Sequence, residues 1–302
     1  MTELPPTSQT DRQRVRPAAC AFTAVLTAAL TLACSGASSD NDRAQKTGKA
    51  PEKTALPAVV VAPGNPDLIR YTLRFDDRQN HYINIEAIFP AGGDTVELFM
   101  AVWTPGSYLV REYARHIEAI SAATPDGEPL AIDKVAKNRW RVTSGGAANI
   151  VVRYRLYARV LSVRSNFVSE DIAVLNGAPT FLDIADDRSR PFAINLELPE
   201  TWTHSITALQ PHGDGQKNHF TAPDFDTLVD SPIVAGTPTL HDFEVEGTPH
   251  QLANFGEDKV WDGERSARDV EALVATQIKF WGSIPYNRYI FQNVIWQGRG
   301  GL

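Results

Sequence analysis

The sequence predicts a mainly β fold: an antiparallel β-sandwich over residues 68–256, followed by one helix and one strand within residues 257–302. Three observations predict it. Apolar residues recur at every second position between Leu68 and Gly256, short Gly, Pro and Asp clusters punctuate them, and after about Trp261 the period becomes helical.

The N-terminus reads as an address. Arg12, Arg14 and Arg16 precede an uncharged run from Ala18 to Ala33, the basic, apolar, small order of a secretory signal. The run is shorter than the ~20 residues a membrane helix needs. It ends in Leu30-Thr31-Leu32-Ala33-Cys34, which resembles a bacterial lipobox although Thr31 stands where Leu is commonest. Residues 1–33 are therefore expected to be a lipoprotein-type signal and Cys34 the lipidation site. Ordinary cleavage nearby, with Cys34 incidental, is the alternative. Either way the protein is exported, periplasmic or anchored at the outer membrane of a bacterium. Residues 34–67, rich in Ser, Ala, Pro, Lys and Asp without apolar period, read as a flexible tether.

Strands follow. Ile83, Ile85, Ala87 and Phe89 fall on one face, as do Val96, Leu98, Met100 and Val102. The same holds for Val152, Tyr154, Leu156 and Ala158, and for Phe192, Ile194, Leu196 and Leu198. Such alternation is that of half-buried antiparallel strands. Turns are expected at Pro90–Gly93, Pro125–Gly127, Ser144–Gly146 and His212–Gly215. Beyond them Val270, Leu273, Val274, Gln277, Ile278 and Trp281 form a helical stripe, with Asp262 or Ser266 to cap the start and Gly282 and Pro285 to close the end. One more alternating run, Ile290 to Trp296, precedes Gly300-Gly301-Leu302. A helix and a single strand cannot bury both of their faces, so a second, truncated domain is expected over 257–302.

Composition narrows the function. The formal charge of -7 leaves no basic face for a phosphate backbone, and nucleic acid is excluded as a partner. Cys20 and Cys34 are the two cysteines, so the exported body has no internal disulfide and depends on its core. The seven histidines, His81, His116, His204, His212, His219, His241 and His250, include no His-Glu-x-x-His pattern and read as scattered surface residues rather than metal ligands. No Gly-x-Ser-x-Gly elbow is present. The carboxylate pairs Asp186-Asp187 and Asp224 with Asp226 suit turn formation better than glycoside chemistry. The segment Trp103-Thr104-Pro105-Gly106-Ser107-Tyr108 reads first as a sandwich corner whose aromatics pack on the core. The alternative is a rim loop that offers Tyr108, Arg111 and Glu112 to a ligand.

Taken in order, the run from Trp103 to Tyr113, "YRLYARVLSVRSNFV", "AVLNGAPTFL", "TLVDSPIVAG" and the closing "GRGGL" resemble the glycyl aminopeptidase family of zinc metallopeptidases across roughly Leu68 to Leu302. The resemblance implies an N-terminal β-sandwich, an α+β thermolysin-like catalytic domain and a PDZ-like domain. It also implies a catalytic strand followed by Gly-Gly-Leu-Glu-His, whose first three positions Gly300, Gly301 and Leu302 match. These would be the substrate-binding residues for a peptide. The Glu-His and a later zinc-binding His-Glu-x-x-His would follow, so the chain itself is expected to hold no catalytic residue and no zinc, and to be inactive alone. A stand-alone exported sandwich that binds peptide or glycan is the rival reading.

Overall fold

The computed structural model describes residues 64–105, 109–185 and 188–296. The signal segment, Cys34 and most of the tether, together with Gly106, Ser107, Tyr108, Asp186, Asp187, Gly300, Gly301 and Leu302, lie outside the described residues. Where the sequence alternates, strands form: β1 (Ile69–Arg74), β2 (Tyr82–Pro90), β3 (Thr95–Met100), β4 (Ile117–Ala123), β5 (Pro129–Leu130), β6 (Ile132–Ala136), β7 (Arg139–Thr143) and β8 (Asn149–Tyr157). They continue as β9 (Phe167–Val168), β10 (Ile172–Leu175), β11 (Leu182–Ile184), β12 (Phe192–Glu197), β13 (His204–Thr207), β14 (Gln210–Pro211) and β15 (His219–Ala222). A one-turn helix α1 (Phe225–Val229) leads into β16 (Ile233–Gly236). The chain closes with β17 (Thr239–Val245), β18 (Thr248–Phe255), helix α2 (Gly263–Trp281) and β19 (Tyr289–Val294).

The fold is mainly β, as the alternation predicts. One sheet of eight strands runs β14-β15-β12-β1-β2-β8-β4-β5, and two four-stranded sheets run β11-β3-β7-β6 and β13-β16-β10-β9. Residues from all three meet in one apolar core. Ile83, Ile85, Ala87 and Phe89 are all buried there, as are Val152, Tyr154, Leu156 and Ala158. The expected turns are found, and Gly127, Gly145, Gly146 and Gly215 take the positive φ that such turns ask of glycine. Antiparallel pairing is broken once within the eight-stranded sheet, where β1 and β12 run parallel in the register Ile69↔Phe192 to Arg74↔Glu197. Two buried tyrosines cross-link the layers: Tyr71 Oη donates to the Leu182 carbonyl and Tyr154 Oη to the Thr180 carbonyl at 2.7 Å. Each aromatic body fills the core while its hydroxyl finds an acceptor, and burial raises both phenols well above their ordinary range.

The segments that carry the family resemblance prove to be joints. Asn166 Nδ2 donates to Thr180 Oγ1 at 2.9 Å, the Asn176 amide donates back to Asn166 Oδ1 at 2.8 Å, and Thr180 Oγ1 donates to the Asn176 carbonyl at 2.6 Å. This closed loop of buried polar groups satisfies an irregular stretch no ladder could serve. Beside it Gly177 lies so close to α1 that a Cβ there would sit 2.4 Å from the Val229 Cα.

The last elements form a separate small sheet, β17-β18-β19. Alternation alone assigns β17 and β18 to the sandwich, yet they pair with each other and, in parallel, with β19. One face of this sheet, with Ala253, Phe255, Ile290 and Val294, packs on Phe167, Ile172, Ile206 and Val234 of the β13-β16-β10-β9 sheet. That sheet is consequently buried on both faces, which is why β9, β10 and β16 read as nearly continuous apolar runs. The other face carries α2 through Val245, Val274 and Ile278. Asp262 caps α2 by accepting from the Arg265 amide at 2.9 Å, and Gly282 ends it in the left-handed conformation, both as the sequence indicates. The buried stripe is narrower than expected: Leu273 and Trp281 are 63% and 71% exposed, and Phe280 beside them 77%. Val270, Val274 and Ile278, spaced by four, turn toward the sheet, and Leu273 and Trp281 sit to one side of that line.

Candidate functional site

β19 is the element that leads toward the three predicted substrate residues. It pairs with β18 from His250↔Tyr289 to Phe255↔Val294, and the Ile295 amide extends the ladder to the Phe255 carbonyl at 2.8 Å. Among the described residues no strand pairs with its other edge. Gly256, at φ +82°, lets the chain leave β18 there; a Cβ would stand 2.5 Å from the Ile295 carbonyl oxygen. Side chains fasten β19 to the sandwich: Gln292 Nε2 donates to the Ile206 carbonyl at 2.7 Å and to the Pro232 carbonyl at 3.1 Å. Arg288, just ahead of the strand, donates to the carbonyls of Ala208 and Leu209. Burial lowers the pKa of this guanidinium from its ordinary value.

A polar network ties the strand to the start of α2. Asn293 Nδ2 donates to Asn254 Oδ1 at 3.1 Å, Asn254 Nδ2 donates to Glu257 Oε2 at 2.9 Å, and His241 Nε2 shares a hydrogen bond with the same carboxylate at 2.8 Å. Burial alone would raise the Glu257 pKa, but the hydrogen bonds from His241 and Asn254, the charge of His241 and the Gly263 amide outweigh it and hold it below its ordinary value. A Cβ at Gly263 would lie 2.2 Å from His241 Nε2 and 2.3 Å from Glu257 Oε1, so any side chain there would push this pair aside.

The reading of the histidines as scattered surface residues is corrected by the fold. His250 is buried, with Nδ1 at the Thr248 carbonyl and Nε2 3.1 Å from Tyr286 Oη. His212 and His219, seven apart in sequence, face each other across the β14–β15 hairpin with ring centroids 4.0 Å apart, and both point Nδ1 at Asp214. A search by i, i+4 spacing misses them. The signal that finds them is two histidines flanking the turn-rich "HGDGQKNH".

Trp103 is also not where the corner reading puts it. It is 50% exposed and lines a cleft of about 850 Å³ with Phe99, Pro105, Arg188 and Asp226. Glu112, offered as a ligand contact, pairs with Lys137 instead. Asp224 is the turn former expected: its Oδ1 accepts from the Thr227 amide at 2.7 Å and caps α1.

Against this geometry the comparisons are specific. The family model of the Peptidase M61 N-terminal domain matches residues 70–237, which run from β1 to the end of β16. The chain belongs to the Peptidase M61 N-terminal domain family. The M61 match stops where the three-stranded sheet begins. A solved aminopeptidase N family protein from Idiomarina loihiensis is 29% identical with a TM-score of 0.71, over 78% of this chain and 40% of that one. The M1 zinc metallopeptidase from Deinococcus radiodurans, solved as an E323A mutant with a Tyr-Ser-Ala substrate, is 11% identical with a TM-score of 0.42, over 75% of this chain and 55% of that one. The chain thus spans well under two thirds of either relative. A search of curated proteins finds no match. The chain therefore carries a peptidase-family N-terminal domain over residues 70–237 and extends past it into a further α/β module.

Proposed function

We propose that the chain is the export signal, tether, N-terminal sandwich and first catalytic-domain elements of a bacterial glycyl-aminopeptidase-like zinc peptidase, held at the outer membrane through a lipid on Cys34. The observation that supports it is the edge of β19, fixed to the sandwich by Gln292 and Arg288 and followed in sequence by Gly300, Gly301 and Leu302. An extended peptide adds to a strand edge through main-chain hydrogen bonds, and a glycine pair lets main chain approach it closely. In this reading those three residues line the peptide cleft and the sandwich walls one side of it, restricting access to chain termini.

The residues present do not fit the catalytic zinc of that chemistry. None of the seven histidines is part of a His-Glu-x-x-His, and no step of hydrolysis is assigned to residues 1–302, which would be inactive alone. The test begins with the reading frame beyond the Leu302 codon, expected to continue into Glu-His and a His-Glu-x-x-His helix. The full gene product should then release glycine from aminoacyl anilides, and Gly301→Val should lower kcat/KM by about a hundredfold by displacing the peptide. Turnover by the 302-residue chain alone, or an unaffected Gly301→Val enzyme, refutes the assignment. One observation favours a second reading: Trp103, half exposed on an 850 Å³ cleft, suits a sandwich that binds peptide or glycan without chemistry.

A further inference from the structure

We propose that His212, Asp214 and His219 form a binding site for a divalent transition-metal ion of the zinc class, at the edge of the eight-stranded sheet. The hairpin builds the site. β14 and β15 pair as Gln210↔Thr221 and Pro211↔Phe220, and the same register sets His212 directly opposite His219, whose carbonyl accepts from the His212 amide at 2.8 Å. Side chains at opposed positions are held within contact distance by the ladder itself, so two imidazoles are brought together without any further device. The turn then returns Asp214 over them. Its amide donates to His212 Nδ1 at 3.4 Å, and its Oδ1 accepts from the Gln216 amide at 3.0 Å. That occupies Oδ1 and leaves Oδ2 for the histidines, 2.6 Å from His219 Nδ1 and 3.2 Å from His212 Nδ1.

Among the described residues this is the one group of three such side chains whose ligand atoms all lie within 4.8 Å of one another. The side chains are 10%, 25% and 17% exposed, screened enough to be ordered and open enough to admit an ion. Two imidazoles and one carboxylate select a borderline ion such as Zn²⁺ over Mg²⁺ or Ca²⁺, which want all-oxygen shells. A metal would bind these groups as one carboxylate and two neutral imidazoles, so its affinity should fall as the pH is lowered. At zinc bond lengths of roughly 2.0–2.1 Å the donor atoms would stand about 3.3 Å apart. The His219 ring therefore swings outward by about 0.7 Å, and the two rings, now only 14° from parallel, tilt toward one another. Three protein ligands leave a fourth position to water, which makes this a reversible site. It stands whether or not the peptidase reading does.

The experiment is calorimetric titration of the EDTA-stripped 302-residue chain with zinc chloride near neutral pH, with Co²⁺ absorption as a second readout of the ligand set. One ion per chain is expected at this site. His212→Ala and His219→Ala should each weaken binding at least about tenfold, the lower bound known for less direct partners of a metal, and His241→Gln should not. Should an alanine variant misfold by circular dichroism, His219→Gln, which keeps a donor toward Asp214, decides in the same way. Absence of binding to the wild-type chain, or affinity unchanged in the His212→Ala, His219→Ala double variant, overturns the proposal.

Discussion

Replacing Gly177 by alanine is the sharpest probe of how the family motifs hold the sandwich together. The added Cβ would meet the Val229 Cα at 2.4 Å, the Leu228 carbonyl oxygen at 2.9 Å and the Val229 carbonyl oxygen at 3.1 Å. All three are main-chain atoms, so no side chain can rotate away; α1 or the 176–181 turn must shift. The turn cannot move cheaply, because the Thr180 and Phe181 amides both donate to the Gly177 carbonyl and Asn176 is locked to Asn166. Overpacking costs typically 1–3 kcal/mol, and a rigid backbone neighbour places this site at the upper end, about 3 kcal/mol. For a folded body of this size that corresponds to a fall in Tm of roughly 6–12 °C. Differential scanning calorimetry of the purified chain measures it. The control is Gly92→Ala, where a Cβ meets nothing within 4 Å and φ is not in the left-handed region; it should stay within about 0.5 kcal/mol of wild type. A Gly177→Ala protein that melts with wild type would show that the close approach of α1 is not a fixed feature of the fold.

Two further outcomes follow from the β19 module. Gln292→Ala removes the donor shared by the Ile206 and Pro232 carbonyls, a loss of about 1–3 kcal/mol where an acceptor is left buried; amide exchange in β19 should quicken while β2 and β8 keep their protection, and uniform quickening would refute a local fastening. The depressed Glu257 carboxyl contributes stability that is complete above its unfolded value, near 4.5, and fades as pH falls through the lower folded value. The stability gap between wild type and Glu257→Gln should therefore be widest near neutrality and close on acidification, and a gap that widens in acid contradicts the network.

What the residues disclose in advance depends on the range of the interaction. Alternation fixes which side of β2 or β8 is buried, because the pleat is local, and Asp262 and Gly282 mark the ends of α2 because caps are satisfied within one turn. Partners distant in sequence are another matter. Nothing in the run Phe192–Glu197 says that it joins β1 in parallel rather than a neighbour in a hairpin, and nothing in β17 and β18 says that they leave the sandwich for β19. The stripe on α2 fails at Leu273 and Trp281 for the same reason, since the width of the buried face is set by a small three-stranded sheet and not by the helix. For the candidate sites the contrast is similar. The turn chemistry around Gly213 and Gly215 points to a hairpin, yet only its register, one residue beyond Pro211↔Phe220, makes a pair of His212 and His219.

The boundary between the sandwich and the three-stranded module is clear along the chain and absent in the packing. The family match ends at residue 237 and a new sheet starts at Thr239, but the packing runs straight across. Ile290 and Val294 share an apolar cluster with Ile206 and Val234, Trp296 stands edge-on to Phe167 at 5.3 Å, and Arg288 and Gln292 are bonded to carbonyls of the β13 region and the approach to β16. A half-buried strand packed on the β13-β16-β10-β9 sheet and fastened by long-range hydrogen bonds from Arg288 and Gln292 cannot tilt independently of its support. If a peptide aligns along the free edge of β19, its position is therefore set as much by residues 204–234 as by the strand itself. The sandwich then acts as a positioning frame as well as a wall. In the proposed full-length peptidase Gln292→Ala should consequently raise KM more than it lowers kcat, because it would loosen where the peptide lies without touching the reacting atoms.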